Sequence, residues 1–238
     1  RVLFRSGMMV FLHRGGPTGD MGISAGDLEI GQVVHLNESG VPIDYLVVHQ
    51  GIPSNLYDAS CEGTWLLRKD IREMGPFNSG GGNALPGSSI LSTMSGYMKD
   101  YDLPVQAAIK TVKVPYCVWN GSATVNSGEN GLQCRVFPIS GYEIGLNNSL
   151  SSYLPIDGAK LSYFIDSDGA DARSKRIAKF NMTNGLYWTR SPSNANNVGN
   201  WYISVDGSYG NGYSYNSYGI RPALILPYDF KFLKSEVS

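Results

Sequence analysis

The sequence is poor in charge. Only 16% of its 238 residues are Asp, Glu, Lys or Arg, and the formal net charge is −1. A nucleic-acid surface needs clustered Lys and Arg, and no basic run is present, so no nucleic-acid partner is expected. Apolar runs are short as well. None approaches the roughly 20 residues that cross a bilayer as a helix, so membrane insertion is not expected, and Met8 to Leu12 is too short for the core of a secretory signal. Cysteine is scarce: Cys61, Cys117 and Cys134 leave one thiol over and are too few for a disulfide scaffold. Cys117 and Cys134 flank a polar loop and can pair only if their strands are neighbours. The three histidines, His13, His35 and His49, stand at no metal-ligand spacing with Cys or carboxylates, so neither a metal site nor a cofactor is expected.

Other chemistries are only partly spelled. Gly80-Gly81-Gly82 lacks the Lys and the strand-to-helix setting of a phosphate loop. Asp166-Ser167-Asp168-Gly169-Ala170-Asp171 gathers carboxylates around a glycine, as calcium requires, but the glycine comes too early and no closing Glu follows. A solvated turn is the expectation there. A Cys nucleophile needs a His within reach; Cys61 with His49 is the pairing left open, although Ala-Ser-Cys-Glu-Gly has no nucleophile turn. No catalytic residue is therefore assigned.

What is plentiful is Gly (29) and Tyr (15), a mixture that favours short strands and many turns. Residues 1–22 carry no apolar period and are expected to be a disordered leader, whose residues 1–6 (Arg-Val-Leu-Phe-Arg-Ser) resemble read-through of a sequencing adapter. One domain is expected over 23–230, with a tail at 231–238. Val33–Leu36 and Ile43–Val48 around a polar Gly turn predict a hairpin, and Thr64–Leu67 a further strand. Ile90, Leu91, Met94, Tyr97 and Met98 fall at helical spacing behind Ser88, a capping residue. Leu103–Lys110 predicts a second helix with Pro104 in its first turn. A weaker helical pattern lies near Arg173–Ala178. Val112–Tyr116, Cys134–Ser140, Leu186–Trp188, Trp201–Val205, Tyr213–Tyr215 and Arg221–Leu226 read as strands.

The most informative segment lies between Ser191 and Gly219, where roughly three quarters of the residues are Asn, Ser, Gly or Tyr. Tyr supplies contact area at low entropic cost, and Asn, Ser and Gly supply adaptable hydrogen bonding, the composition of a paratope. The ligand-binding candidates are Asn194, Asn196, Asn197, Asn200, Tyr202, Ser204, Ser208, Tyr209, Asn211, Tyr213, Tyr215 and Asn216. Trp201 fits either core or a binding platform. Arg190 and Arg221 flank this tract beside Pro and apolar residues. A buried Arg requires carboxylate or carbonyl partners, so both are read with Trp188 as structural frame.

Trp188-Thr189-Arg190-Ser191-Pro192, the tract, and Gly219-Ile220-Arg221-Pro222-Ala223-Leu224 together resemble the C-terminal signature of C-type-lectin-like proteins of bacteria and their phages. Some relatives there are the variable proteins of diversity-generating retroelements, in which error-prone reverse transcription rewrites adenines. The resemblance extends to Tyr45–Gly51, Asp58–Leu67 and Leu161–Phe164. It implies an α+β, C-type-lectin-like fold with a twisted, mostly antiparallel sheet and two helices. It also implies a receptor or adhesin-type domain recognising a surface protein or glycan, carried on or assembled with a virion or bacterial cell-surface protein. A structural virion or fibre-tip domain is the alternative. Sulfatase-activating oxidases share the fold and a similar Trp-x-Arg-Ser stretch, but they depend on paired cysteines late in the chain, and the last here is Cys134. If the tract is diversified, sequencing the flanking DNA should find a near-copy of the Ser191–Gly219 coding stretch beside a reverse-transcriptase gene; its absence would reduce the expectation to ordinary binding.

Overall fold

The computed structural model describes residues 22–119 and 121–238, so the expected leader over 1–22, with its adapter-like start, lies outside it save for Gly22. Ten strands form two five-stranded sheets. In chain order they are β1 (Val33–Glu38), β2 (Val41–Gln50), β3 (Thr64–Arg68), β4 (Glu73–Pro76), β5 (Val136–Pro138), β6 (Tyr187–Pro192), β7 (Gly199–Ile203), β8 (Tyr209–Tyr213), β9 (Ser217–Ile220) and β10 (Pro222–Leu226). The first sheet runs β5-β10-β3-β2-β1, antiparallel throughout. The second runs β8-β7-β6-β9-β4 and is antiparallel except where β6 lies parallel to β9. Short two-stranded ladders and three α-helices complete an α+β architecture among the described residues.

The local reasons are plain. In β1, Val34, Leu36 and Glu38 turn inward while Val33, His35 and Asn37 alternate outward. Ser39 and Gly40, with φ of 51° and 82°, make the tight turn into β2, the left-handed pair a two-residue hairpin requires. Strands β3 and β10 sit inside the sheet and bury nearly every side chain, which is why both are continuous apolar runs. Trp65 on β3 packs edge-on against Tyr57 and Phe137, with ring centroids 5.5 and 5.7 Å away. The predicted helix becomes α1 (Ser89–Gly96), its first turn capped by the Ser88 hydroxyl, which accepts from Leu91 N–H at 3.4 Å. Ile90 and Met94 are its buried face. Helix α2 (Leu103–Ala108) follows, and α3 (Ala170–Arg176) overlaps the weaker pattern near Arg173–Ala178, which it leaves before Ala178 enters a strand; it makes a third helix where the resemblance implied two.

Two further expectations are corrected. The tail at 231–238 is part of the fold: Lys231–Phe232 pairs with Ile23–Ser24, Val237 bridges Val34, and Phe232 is 1% exposed. Tyr213–Tyr215 is not a strand. Tyr213 ends β8 and a turn follows, closed by the Asn216 N–H on the Tyr213 carbonyl at 2.9 Å.

The chain crosses between the sheets more than once, and the two short crossings are from the first sheet to the second between Arg68 and Glu73, and back between Ile220 and Pro222. Arg221 is the only residue in the return crossing, and it stitches both. Its Nε and Nη2 donate to the carbonyls of Arg68 and Lys69, at 2.8 and 2.9 Å. Both sheets and α1 share one hydrophobic cluster. Replacing Phe232 by Ala should therefore cost about 3 kcal/mol or more in urea unfolding; a change below about 0.5 kcal/mol, ordinary for a surface site, would return 231–238 to the status of a tail.

Candidate functional site

The frame of the tract is built first. Arg190 on β6 is fully buried and every donor of its guanidinium is engaged. Nε reaches the Pro115 carbonyl at 2.7 Å; Nη1 reaches the Pro138 carbonyl at 3.1 Å and Glu143 Oε2 at 2.6 Å. Nη2 reaches Glu143 Oε1 at 2.5 Å and the Asp157 carbonyl at 3.1 Å. Glu143, also fully buried, accepts in addition from the Tyr57 hydroxyl at 2.7 Å and Ser140 N–H at 2.8 Å. The pair is bidentate and satisfied on every side, the condition under which burying two charges is tolerable. Arg221 is 1% exposed and is held without a carboxylate. Besides the two carbonyls at the crossing it bonds the Tyr187 hydroxyl at 2.9 Å, with the guanidinium 4.9 Å from the Tyr187 ring centre. Trp188 is 1% exposed, and its indole N–H donates to the Gly75 carbonyl at 3.1 Å.

A third buried arginine was not legible as frame. Arg176 on α3 is fully buried, binds Asp168 at 2.7 Å, and donates from Nε to the Gly207 carbonyl at 2.9 Å, fixing the turn before β8. Asp168 takes Arg173 on its other oxygen at 2.6 Å. The carboxylates of Asp166 and Asp168 thus face Asn147 and the arginines rather than a common centre. Among the described residues no three His, Cys, Asp or Glu groups converge as metal ligands would.

The candidate binding residues divide by burial. Asn200 is wholly inside, and its assignment as a contact residue is corrected. Its amide N–H donates to the Asn83 carbonyl at 3.0 Å, and its Oδ1 accepts from the Ser214 hydroxyl at 2.6 Å. Asn83, 2% exposed, donates in turn to the carbonyls of Asn196 and Gly199 at 2.8 and 3.1 Å. Sequence reasoning passed over Asn83. Trp201, 6% exposed, belongs to the core and donates to the Tyr153 carbonyl at 3.3 Å.

Asn194, Asn196, Tyr202, Ser204, Ser208, Tyr209 and Asn216 are half-buried. Several of them shape the tract: Asn196 Oδ1 accepts from the N–H groups of Val198 and Gly199 at 3.0 and 2.8 Å, and the Tyr209 hydroxyl donates to the Leu150 carbonyl at 3.2 Å. Ser208 donates from its hydroxyl and its N–H to Asp206, and these bonds hold that carboxyl below its ordinary range. Tyr202 lies edge-on to Tyr218 at 4.9 Å, over Gly210 and Gly212, where a Cβ would strike the two rings.

Asn197, Asn211, Tyr213 and Tyr215 are exposed. Tyr213 and Tyr215, each 56% exposed, stack at 5.3 Å with their planes 6° apart. Tyr153, equally exposed, stands beside the tract through its carbonyl and was missed, because nothing in its Ser-rich surroundings marks it.

The cysteines are free. Cys117 and Cys134 lie in different ladders, Tyr116–Trp119 with Ala123–Asn126 and Leu132–Cys134 with Val112–Val114. The buried Cys61 thiol is pushed up to about 11 by burial and donates to the Lys113 carbonyl at 3.4 Å. His49 Nδ1 instead meets Ser162, at 2.8 Å from the hydroxyl and 3.2 Å from the N–H, and burial holds the imidazole below its usual range. The pairing of Cys61 with His49 is therefore not made.

Beside the Arg190–Glu143 pair, Asp157 is fully buried. Its Oδ1 accepts from Ser191 Oγ at 2.8 Å, and its Oδ2 has no hydrogen-bond partner among the described residues. Burial pushes its carboxyl up to about 7 from the ordinary 3.8, against the pull of Arg190. The folded state thus holds this proton more tightly than the unfolded chain. The group's contribution is full below about pH 3.8 and is lost as pH rises to about 7. Urea unfolding across that window should show stability falling with pH, and Asp157→Asn should flatten the slope. An unchanged slope in the variant would remove Asp157 as its source.

A family model matches residues 62–228, and that family is described as a domain of unknown function (DUF6273). No curated protein and no solved structure matches the chain.

Proposed function

The chain belongs to the DUF6273 family, whose description assigns no activity, and we propose from its residues that it binds a ligand rather than catalyses a reaction. The proposed role is that of a receptor or adhesin-type domain which recognises a surface protein or glycan through the tract before β10. The observation that carries it is the stacked, exposed pair Tyr213 and Tyr215, set on a tract whose two ends are fixed by buried, hydrogen-bonded arginines. Exposed aromatic rings stacked on each other have given up water and rotamer freedom before any ligand arrives. A partner therefore gains their area at low entropic cost. Asn197 and Asn211 add amide donors and acceptors on the same exposed tract.

We read the α+β arrangement as C-type-lectin-like, and the tract as the segment that a diversity-generating retroelement would rewrite. The support is the resemblance of Trp188–Pro192 and Gly219–Leu224, together with the Asn and Tyr content between them. By the same resemblance the domain is carried at a virion or bacterial cell surface.

Labelled protein should bind at least one member of a glycan array or of a panel of purified bacterial surface proteins. Tyr213→Ala with Tyr215→Ala should then weaken that binding by about 30-fold, the loss of one interface anchor worth about 2 kcal/mol. Because both rings are exposed, the melting temperature should move by no more than about 2 °C. Binding that survives a large fall in melting temperature would make the tyrosines structural and the site misplaced.

A further inference from the structure

Residues 208–214 read Ser-Tyr-Gly-Asn-Gly-Tyr-Ser, the same in either direction about Asn211. This stretch contains β8, the edge of the second sheet, which pairs only with β7 among the described residues. Two bonds fix the phase of that ladder: Ser204 N–H to the Ser208 carbonyl and Ser214 N–H to the Val198 carbonyl, both at 2.8 Å. Ser208, Gly210, Gly212 and Ser214 therefore turn their main-chain groups toward β7. Tyr209, Asn211 and Tyr213 turn theirs outward. Of those outward groups, only the Tyr213 carbonyl is engaged among the described residues, by Asn216 N–H.

Sheet edges are ordinarily blunted by Pro, by charge or by a bulge. The register of β8 with β7 runs without a shift, and residues 207–220 contain neither a proline nor a charged side chain. Two copies can approach along this edge without like-charge repulsion.

We propose that β8 is a homotypic docking edge, along which two copies of this chain pair antiparallel about a two-fold axis through Asn211. Self-complementarity is what a two-fold interface demands of its surface, and a palindromic strand supplies it. Asn211 faces Asn211 of the second copy and exchanges both main-chain bonds with it. Each Tyr213 N–H reaches the Tyr209 carbonyl across the axis, glycines face glycines, and Tyr209 lies beside Tyr213 of the other copy on one face. A strand of 5 residues covers less than the roughly 800 Å² per partner of a standard interface, so the dimer is weak and reversible. It would carry two tyrosine sites at fixed spacing, which raises avidity for a repetitive surface.

The test is sedimentation velocity of the full chain over a concentration series with no ligand present, so the result is independent of the ligand-binding reading. The wild type should show a concentration-dependent dimer. Asn211→Lys alone and Asn211→Asp alone place like charges opposite each other at the axis, and each should weaken association by about fivefold or more. An equal mixture of the two variants should restore it, because opposite charges then meet. Asn211 is exposed, and circular dichroism of each variant should match the wild type. A wild type that stays monomeric throughout, or a mixture no tighter than either variant alone, overturns the proposal.

Discussion

Two β-sheets of this size can be apposed in many ways, and here buried guanidinium groups leave room for one. Arginine cannot shed its charge at any pH a protein meets, so a buried one has to be met on every N–H. Arg190 draws Pro115, Pro138, Glu143 and Asp157 to one point. These residues are distant in sequence and cannot drift without leaving a donor bare. Arg221 acts likewise without a carboxylate, through carbonyls and the Tyr187 hydroxyl, at a short crossing between the sheets. The desolvation cost of such groups is large, and their yield lies more in a unique arrangement than in net stability. Asp157, one shell out, carries the residue of that cost: with the guanidinium saturated by Glu143, little is left to hold a second carboxylate ionised.

The tract inherits its geometry from this frame. Arg190 fixes its entry, Arg221 its exit, and Arg176 its middle turn through the Gly207 carbonyl. Between those points the tract folds on itself by short-range bonds, Asn196 to Gly199 and Ser208 to Asp206, and by the Asn83–Asn200–Ser214 chain that ties it inward. The exposed side chains are what remains after these needs are met. Their rigidity is borrowed from main-chain contacts and not from one another, the stacked tyrosines excepted.

Much of this was legible where physics is local. The β1–β2 hairpin followed from a polar Gly turn between alternating runs, and α1 from apolar spacing behind a Ser cap. Arg190, Arg221 and Trp188 were readable as frame because charge is scarce and these residues sit among Pro and apolar neighbours. Asn200 was not, since it is the same residue type as its exposed neighbours and only the register of β7 turns it inward. Glu143 could not be singled out, because several carboxylates could have answered Arg190 and the pairing spans 47 positions. The return of Lys231–Phe232 to Ile23–Ser24 is a non-local pairing of two residues, too short to leave a period in either partner.

Gly210 and Gly212 form the floor on which Tyr202 and Tyr218 rest, and any side chain there would lift the rings. Glycine codons begin with two guanines, and an adenine in the third position is silent. A diversifying process that acts on adenines, as proposed for this tract, would leave that floor untouched wherever the copied template also carries glycine codons there. Asparagine codons open with two adenines, so the same process would strike the interior Asn200 as readily as the exposed Asn211. Some clones would lose a buried tie while others gained a new surface. The fraction of a diversified population that still folds would then depend in part on that interior amide.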